Sequence, residues 1–256
     1  MVGLWQFLRF ALDLEGLVDM SLKHTKSVKV AVVAVLAALH ATLSLFPGVW
    51  RRWSIVMIPL EGMIGGPVLG ASASIIGVMV GRLAKPEFFF VENFFGVAEA
   101  VGAMGSGLLF TGKWKAAIAI YIALLGAFLL HPLARIIPLW TLWDVYAGLL
   151  AVFPAAFFVR NLNRCGGDPR PLLPAVALTT FVAVELDVMV RVFMLIVLGL
   201  YQVYPIPTEL LPGIFVAGAF TTPVEAGYVI VVCSMVGVPL LIALEKSHFR
   251  AILRGN

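Results

Sequence analysis

The chain has 256 residues, of which 61% are hydrophobic and only 12% are charged, and its mean hydropathy is +1.03. Soluble domains hold about 45–50% apolar and about 25% charged residues. This composition therefore excludes a soluble enzyme, a nucleic-acid-binding protein and a disordered chain. The formal net charge of +4 is typical of a membrane protein whose basic residues cluster on the cytoplasmic side. The sequence predicts an integral membrane protein.

Catalytic and cofactor motifs are missing from the sequence. Its two cysteines, Cys165 and Cys233, form neither a disulfide framework nor a zinc-spaced cluster. No phosphate-binding loop and no dinucleotide fingerprint occurs, and no nucleophile has a base nearby. We therefore expect no enzymatic activity, no cofactor and no bound metal. Function must reside in the polar residues of the membrane segments.

The N-terminal residues 1–20 predict a helix that lies in the membrane interface. Gln6, Arg9, Asp13 and Gly16 share one face, and apolar residues surround the rest. A lysine-containing linker follows. We predict three regions: an interfacial helix with its basic linker (1–27), a single transmembrane domain (28–246) and a cytoplasmic tail (247–256).

Apolar runs predict an all-α bundle of about eight membrane-spanning helices. The stretch 53–83 has Gly65-Gly66-Pro67 at its centre, so we predict two short helices that meet at a turn. One continuous helix would instead give seven helices, with the two chain ends on opposite sides. The predicted helices cover residues 30–46, 53–65, 67–83, 93–112, 116–137, 142–160, 172–202 and 223–244.

The basic residues predict the orientation. In the eight-helix topology, twelve lie on the side of the chain ends and five lie on the opposite side. Because lysine and arginine are enriched in cytoplasmic segments, we predict a multi-pass protein of the cell membrane with both termini in the cytoplasm.

Two stripes of small residues follow helical spacing. The alanine stripe consists of Ala31, Ala34, Ala38 and Ala41, and the glycine stripe of Gly66, Gly70, Ser74, Gly77 and Gly81. Small residues allow helices to approach closely in lipid. Both stripes can serve packing within the chain, or the alanine stripe can dock a separate protein.

The order of these segments resembles that of a known family. An apolar helix with an Ala-xxx-Ala face, VAVVAVLAALHATLSLFPG, precedes a proline-containing short helix and a Gly-Pro turn into a glycine-rich helix, IVMIPLEGMIGGPVLGASASIIGVMVG. This pattern, over about residues 28–83 and more weakly over the final helix, resembles the substrate-binding S component of energy-coupling factor (ECF) vitamin transporters. The resemblance implies capture of a vitamin-like nutrient from outside. It also implies that Ala34 and Ala38 contact a transmembrane coupling subunit, which works with ATPases.

Ionisable residues within the membrane segments are the candidates for a binding site, because each costs at least about 2.5–3.5 kcal/mol at bilayer depth. Asp187 and Arg191 are four residues apart on one helix face and are able to pair. Glu185 points elsewhere around the same helix. Either the pair only joins helices, or Arg191 binds a substrate carboxylate or phosphate while Glu185 accepts substrate hydrogen bonds or relays a proton.

Further candidates come from other helices. Glu99, Asp144 and Glu225 all fall in the outer halves of the predicted helices, which suggests a pocket open to the outside. Asp144 and Glu225 are alternatively explained as acidic residues at helix N-termini, where negative charge is favoured.

Aromatic residues crowd the outer segments. Trp140 and Trp143 either belong to the interfacial aromatic belt or form a stacking wall for a planar ring beside Asp144. We expect the isolated His40 and His131 to be packed or interfacial.

Three functions fit these patterns. The leading prediction is the membrane substrate-binding subunit of a nutrient transporter, with a small planar or anionic substrate. A stand-alone proton-coupled secondary transporter, with Glu185 or Glu99 as its proton site, is the alternative. An intramembrane enzyme or a structural assembly subunit is the third.

Overall fold

The computed structural model describes residues 26–48, 51–83, 89–164, 170–203 and 206–246. This part of the chain is an all-α bundle, with an isolated β-bridge between Pro47 and Arg52. The predicted interfacial helix 1–20 and the predicted tail 247–256 lie outside the described residues.

Eight α-helices make up the bundle. They are α1 (Lys26–Ser44), α2 (Met57–Leu83), α3 (Phe89–Phe110), α4 (Trp114–Leu130), α5 (Trp143–Arg164), α6 (Leu172–Ile196), the four-residue α7 (Leu200–Val203) and α8 (Leu211–Lys246). Five helical segments, those that contain α1, α2, α5, α6 and α8, have the length and composition of a membrane span, although the α2 segment changes direction at Gly66. Helix α3 beyond residue 93 and helix α4 are shorter apolar helices. The chain is a multi-pass membrane protein.

Helix α2 folds back on itself at Gly66. This residue has a φ angle of 74°, a left-handed conformation that favours glycine. A Cβ atom added to Gly70 would lie 2.7 Å from the Glu61 carbonyl oxygen, whereas residues nine positions apart in a straight helix are about 13 Å apart along the axis. The predicted break into two helices is therefore confirmed. We name them α2a (57–65) and α2b (67–83).

Both halves of α2 pack on α3, in opposite directions. Along α2a, Ile58 lies against Gly102 and Gly62 lies against Ser106, so the two helices are parallel. Along α2b, Pro67 lies against Gly107 and Val78 lies against Gly96, so these helices are antiparallel.

Other pairs of helices in contact run either parallel or antiparallel to each other. Helix α1 runs parallel to α2b, since His40 lies against Gly77 and Ser44 lies against Gly81. Antiparallel neighbours are α3 and α6, α4 and α5, α5 and α6, and α6 and α8. Lys26 and Lys246 thus lie at one end of the bundle, and we call the other the Arg51 end. Which end faces the cytoplasm remains a prediction from the basic residues.

Three predicted boundaries are wrong. The predicted helix 116–137 ends at Leu130, and a separate 3-10 helix, Pro132–Arg135, follows it. Helix α8 begins at Leu211 rather than at residue 223, so Pro223 lies inside it. Proline is tolerated within membrane helices because neighbouring groups satisfy the freed backbone carbonyls. The predicted helix 172–202 ends at Ile196, and Gly199, with a φ angle of 74°, separates it from α7.

The alanines of α1, which include Ala37 beside the alanine stripe, differ in exposure. Ala37 and Ala41 are buried, and the Ala37 carbonyl oxygen lies 2.9 Å from a Cβ atom added to Gly77. Ala34 and Ala38 lie on the adjoining strip of α1 and are exposed. The glycine stripe therefore serves packing within the chain, whereas Ala34 and Ala38 leave a smooth outer face.

Candidate functional site: an arginine-lined cavity

A cavity of about 380 Å³ opens at the Arg51 end, between the end of α1, the loop that follows it, α2, α3 and α6. We call it the arginine cavity, because four of the described arginines line it. Its lining residues are Ser44, Pro47, Gly48, Arg51, Arg52, Ser54, Ile55, Ile58, Val78, Arg82, Phe95, Glu99 and Arg191. The volume falls within the range of about 300–1,000 Å³ that is usual for small-molecule sites.

A chain of buried polar side chains lies beside this cavity. The His40 ring bridges two carboxylates: Nδ1 lies 2.9 Å from Glu61 Oε1, and Nε2 lies 3.1 Å from Glu99 Oε2. His40 and Glu61 are fully buried. The three residues come from α1, α2a and α3, so the chain joins three helices.

Glu99 also accepts hydrogen bonds from two guanidinium groups. Arg82 Nη2 donates to Glu99 Oε1 at 3.1 Å, and Arg191 Nη2 donates to the same oxygen at 3.2 Å. Arg191 in addition binds Asp187 through Nε at 2.9 Å and through Nη2 at 3.1 Å. The guanidinium carbon of Arg191 lies 5.5 Å from the centroid of the Phe95 ring, which is the distance of a cation–π contact.

Arg51 extends this network to α8. Its side chain donates to Asp187 and to Glu225, and its backbone N–H donates to Glu225 Oε1 at 2.8 Å. Its remaining group, Nη2, is buried and has no hydrogen-bond partner within the described residues. The network therefore leaves a guanidinium donor unused beside the cavity.

The side chains of two arginines in the network are more exposed than the carboxylates that they bind. The side chains of Arg51 and Arg191 are 20% and 23% exposed, whereas Asp187 is fully buried and Glu225 is 3% exposed. The planar guanidinium fork matches a carboxylate or phosphate group. The arginine side chains that line this cavity are therefore candidate partners for a small oxyanion.

A second cavity, of about 290 Å³, adjoins the first at Arg51, Phe95 and Arg191. We call it the apolar cavity. It lies between α6, α8 and the turn before α5, and its other lining residues are Thr141, Leu142, Asp144, Val188, Val192, Leu195, Ile214, Phe215, Gly218, Ala219, Thr221, Thr222 and Glu225. Asp144 accepts hydrogen bonds there from the Thr222 hydroxyl and from its neighbour's backbone N–H.

Glu185 stands apart from both cavities. It is fully buried against Gly148 of α5, close to the Tyr121 hydroxyl. Neither oxygen of Glu185 has a hydrogen-bond partner in the described chain, and neither does the Tyr121 hydroxyl. Burial of an unpaired carboxylate is very costly, and such groups neutralise by binding a proton.

The structure brings together most of the predicted site residues. Glu99, Asp187 and Arg191 belong to one network, and Asp144 lies in the adjoining cavity. Arg191 binds Asp187 on its own helix, as predicted, and also Glu99 of α3. Glu185 points away from the pair, as its position on α6 predicts.

The two tryptophans lie elsewhere. Trp140 and Trp143 are 54% and 50% exposed, and neither lines either cavity. Trp143 Nε1 donates to the Ala219 carbonyl oxygen at 3.0 Å, and the Trp140 ring packs on Phe220. Their neighbours Thr141 and Leu142 line the apolar cavity instead, so the structure does not place a tryptophan stacking wall beside Asp144.

Sequence reasoning missed several members of the network. His40 was expected to be isolated, yet it bridges two carboxylates. From the sequence, Arg51 and Arg82 are expected only to be among the five basic residues on the side opposite the chain ends. Of the two explanations of Glu225, that of a residue at a helix N-terminus is wrong, because Glu225 lies 14 residues into α8, where it binds Arg51.

Comparisons with protein-family profiles, with curated proteins and with solved structures find no match for this chain. The resemblance to ECF S components therefore stays a prediction.

Proposed function

We propose that this protein is a membrane-embedded binding subunit for the uptake of a small organic anion. The observation that carries the proposal is the arginine cavity, which is lined by four arginines, of which Arg51 and Arg191 have partly exposed side chains while their partner Asp187 is fully buried. The predicted orientation places this cavity on the outer side of the membrane. A vitamin-like carboxylate or phosphate is the substrate class that these donors favour.

The proposal includes a partner that supplies energy. In the S-component interpretation, α1 contacts a transmembrane coupling subunit, which works with ATPases. Support comes from Ala34 and Ala38, whose small side chains are exposed on the face of α1 that turns away from the bundle. Because helices associate closely in lipid at small residues, this face suits a second membrane protein.

The first experiment measures ligand binding to the purified protein in nanodiscs. Anionic, neutral and cationic metabolites are compared for their effect on thermal stability, which a ligand of the folded state raises with the logarithm of its concentration above the dissociation constant. We expect stabilisation by anions only, and loss of that effect in Arg191→Gln. The matched control is Arg135→Gln, which removes an exposed arginine outside the cavity. Stabilisation by cations or neutral compounds alone would overturn the proposal.

A proton-coupled secondary transporter is the second candidate, and Glu185 favours it. A buried carboxyl group without a hydrogen-bond partner is a proton-binding group that a conformational change can expose. The two candidates differ in what drives uptake. Uptake into proteoliposomes that contain this chain alone, driven by a pH gradient and abolished in Glu185→Gln, would favour the second candidate.

A further inference from the structure

The relation between the two cavities bears on the kind of anion that this site takes. Arg51, Phe95 and Arg191 line both cavities, so the two cavities adjoin at these side chains. A ligand whose charged group binds these arginines has the apolar cavity directly beside it. The ligand's remaining atoms therefore have a defined place to go.

The polar groups that line the apolar cavity are engaged with the protein itself. Thr222 donates to Asp144, Thr141 donates to the Pro138 carbonyl oxygen at 2.7 Å, and Glu225 binds Arg51. What remains for a ligand is the surface of aliphatic and aromatic side chains. These are Leu142, Val188, Val192, Leu195, Ile214 and Phe215.

We propose that the substrate is an amphiphilic organic oxyanion, whose carboxylate or phosphate binds Arg51 and Arg191 and whose apolar portion fills the apolar cavity. This inference rests on the proposed function, because it assumes that the arginine cavity binds an anion. Burial of one methylene group contributes about 0.8 kcal/mol, which is about a fourfold gain in affinity. Affinity therefore rises with the length of the apolar portion until the cavity is full.

Helix α8 offers a matched pair of variants to test this. A Cβ atom added to Gly218 or to Gly227 meets no atom within 4 Å. Gly218 lines the apolar cavity, whereas Gly227 is exposed on the same helix and lines neither cavity. Gly218→Leu thus places a side chain in the apolar cavity, and Gly227→Leu makes the same change outside it.

The experiment measures the dissociation constants of methyl, butyl, hexyl and dodecyl phosphate, and of the corresponding alkanoates, for the protein in nanodiscs. Values are corrected for partition into empty nanodiscs, and hexanol serves as the uncharged control. We expect affinity to rise by up to about fourfold per methylene in the unmodified protein and in Gly227→Leu. In Gly218→Leu, methyl phosphate should bind as before and the increase with chain length should be lost.

The outcomes separate the two claims. Equal affinity for the methyl and hexyl anions would overturn the amphiphile inference and leave the anion site intact. Binding of hexanol as tight as that of hexyl phosphate would also overturn it. Absence of binding by every anion would overturn the proposed function itself. A plateau at hexyl would indicate a free metabolite, and a continued rise to dodecyl would indicate a single-chain lipid; both support the inference.

Discussion

Removal of the Asp187 carboxylate should destabilise the protein more than removal of either arginine that it binds. Asp187 is fully buried and accepts hydrogen bonds from Arg51 and Arg191. In Asp187→Leu, two guanidinium groups lose this partner at once. Breaking a buried ion pair costs about 3–5 kcal/mol. At about 2–4 °C per kcal/mol for a chain of this size, the unfolding midpoint should fall by roughly 6–20 °C.

Arg191→Leu should cost less. Asp187 then keeps Arg51, and Glu99 keeps Arg82 and His40, so no carboxylate is left without a partner. We expect a loss of about 1.5–3 kcal/mol, which is the contribution of hydrogen bonds to charged groups. The double variant Asp187→Leu/Arg191→Leu should be more stable than Asp187→Leu alone, because it removes the buried carboxylate together with one of the arginines that bind it.

The assay combines thermal unfolding, followed by tryptophan fluorescence in detergent, with anion binding in nanodiscs. Arg135→Leu, at an exposed position, is the control for loss of a positive charge. If the double variant is folded and still binds the anion at the original affinity, Arg191 does not hold ligand and the pair only joins helices. If Asp187→Leu unfolds at the same temperature as the unmodified protein, the buried network contributes nothing to stability and our reasoning is refuted.

Three further predictions follow from the packing and from the buried acid. Ala37→Leu should destabilise the fold by about 1–3 kcal/mol because it overfills a buried helix contact. Ala34→Leu, at an exposed position, should leave the unfolding midpoint unchanged. Equal effects of the two substitutions would refute the assignment of Ala37 to a buried face and Ala34 to an exposed one. Gly77→Ala should destabilise the protein, since its Cβ atom would lie 2.5 Å from the Cβ atom of His40, whereas Gly227→Ala should be neutral or stabilise by up to about 1 kcal/mol through helix propensity. Glu185→Gln should retain the unfolding midpoint at neutral pH, because a buried carboxyl group without a hydrogen-bond partner is expected to carry a proton. A large loss of stability would show that Glu185 is ionised.

The local features of the fold could be predicted from the sequence because they depend on neighbours along the chain. Gly65-Gly66-Pro67 predicts the reversal in α2, since glycine permits the positive φ angle and proline lacks a donor. The spacing of Asp187 and Arg191 predicts their pairing on one helix face. The start of α8 could not be predicted in this way, because whether Pro223 breaks a helix depends on neighbouring helices.

The network around His40 lies beyond such reasoning. Glu61 and Glu99 are 21 and 59 positions away from His40 in the sequence, and only the packing of α1, α2a and α3 brings them together. A signal was nevertheless present. His40 is the only ionisable residue of the predicted helix 30–46, and such a group at that depth requires a partner from another helix.

The most direct test of the central claim is to identify what the arginine cavity binds. The protein in nanodiscs is incubated with deproteinised cell extract and washed, and the retained compounds are identified by mass spectrometry, with Arg191→Gln and Arg135→Gln in parallel. We predict that an organic carboxylate or phosphate is retained by the unmodified protein and by Arg135→Gln, and is lost from Arg191→Gln. Retention of a neutral or cationic compound, or of the same anion by all three proteins, would contradict the assignment of this cavity as an anion-binding site.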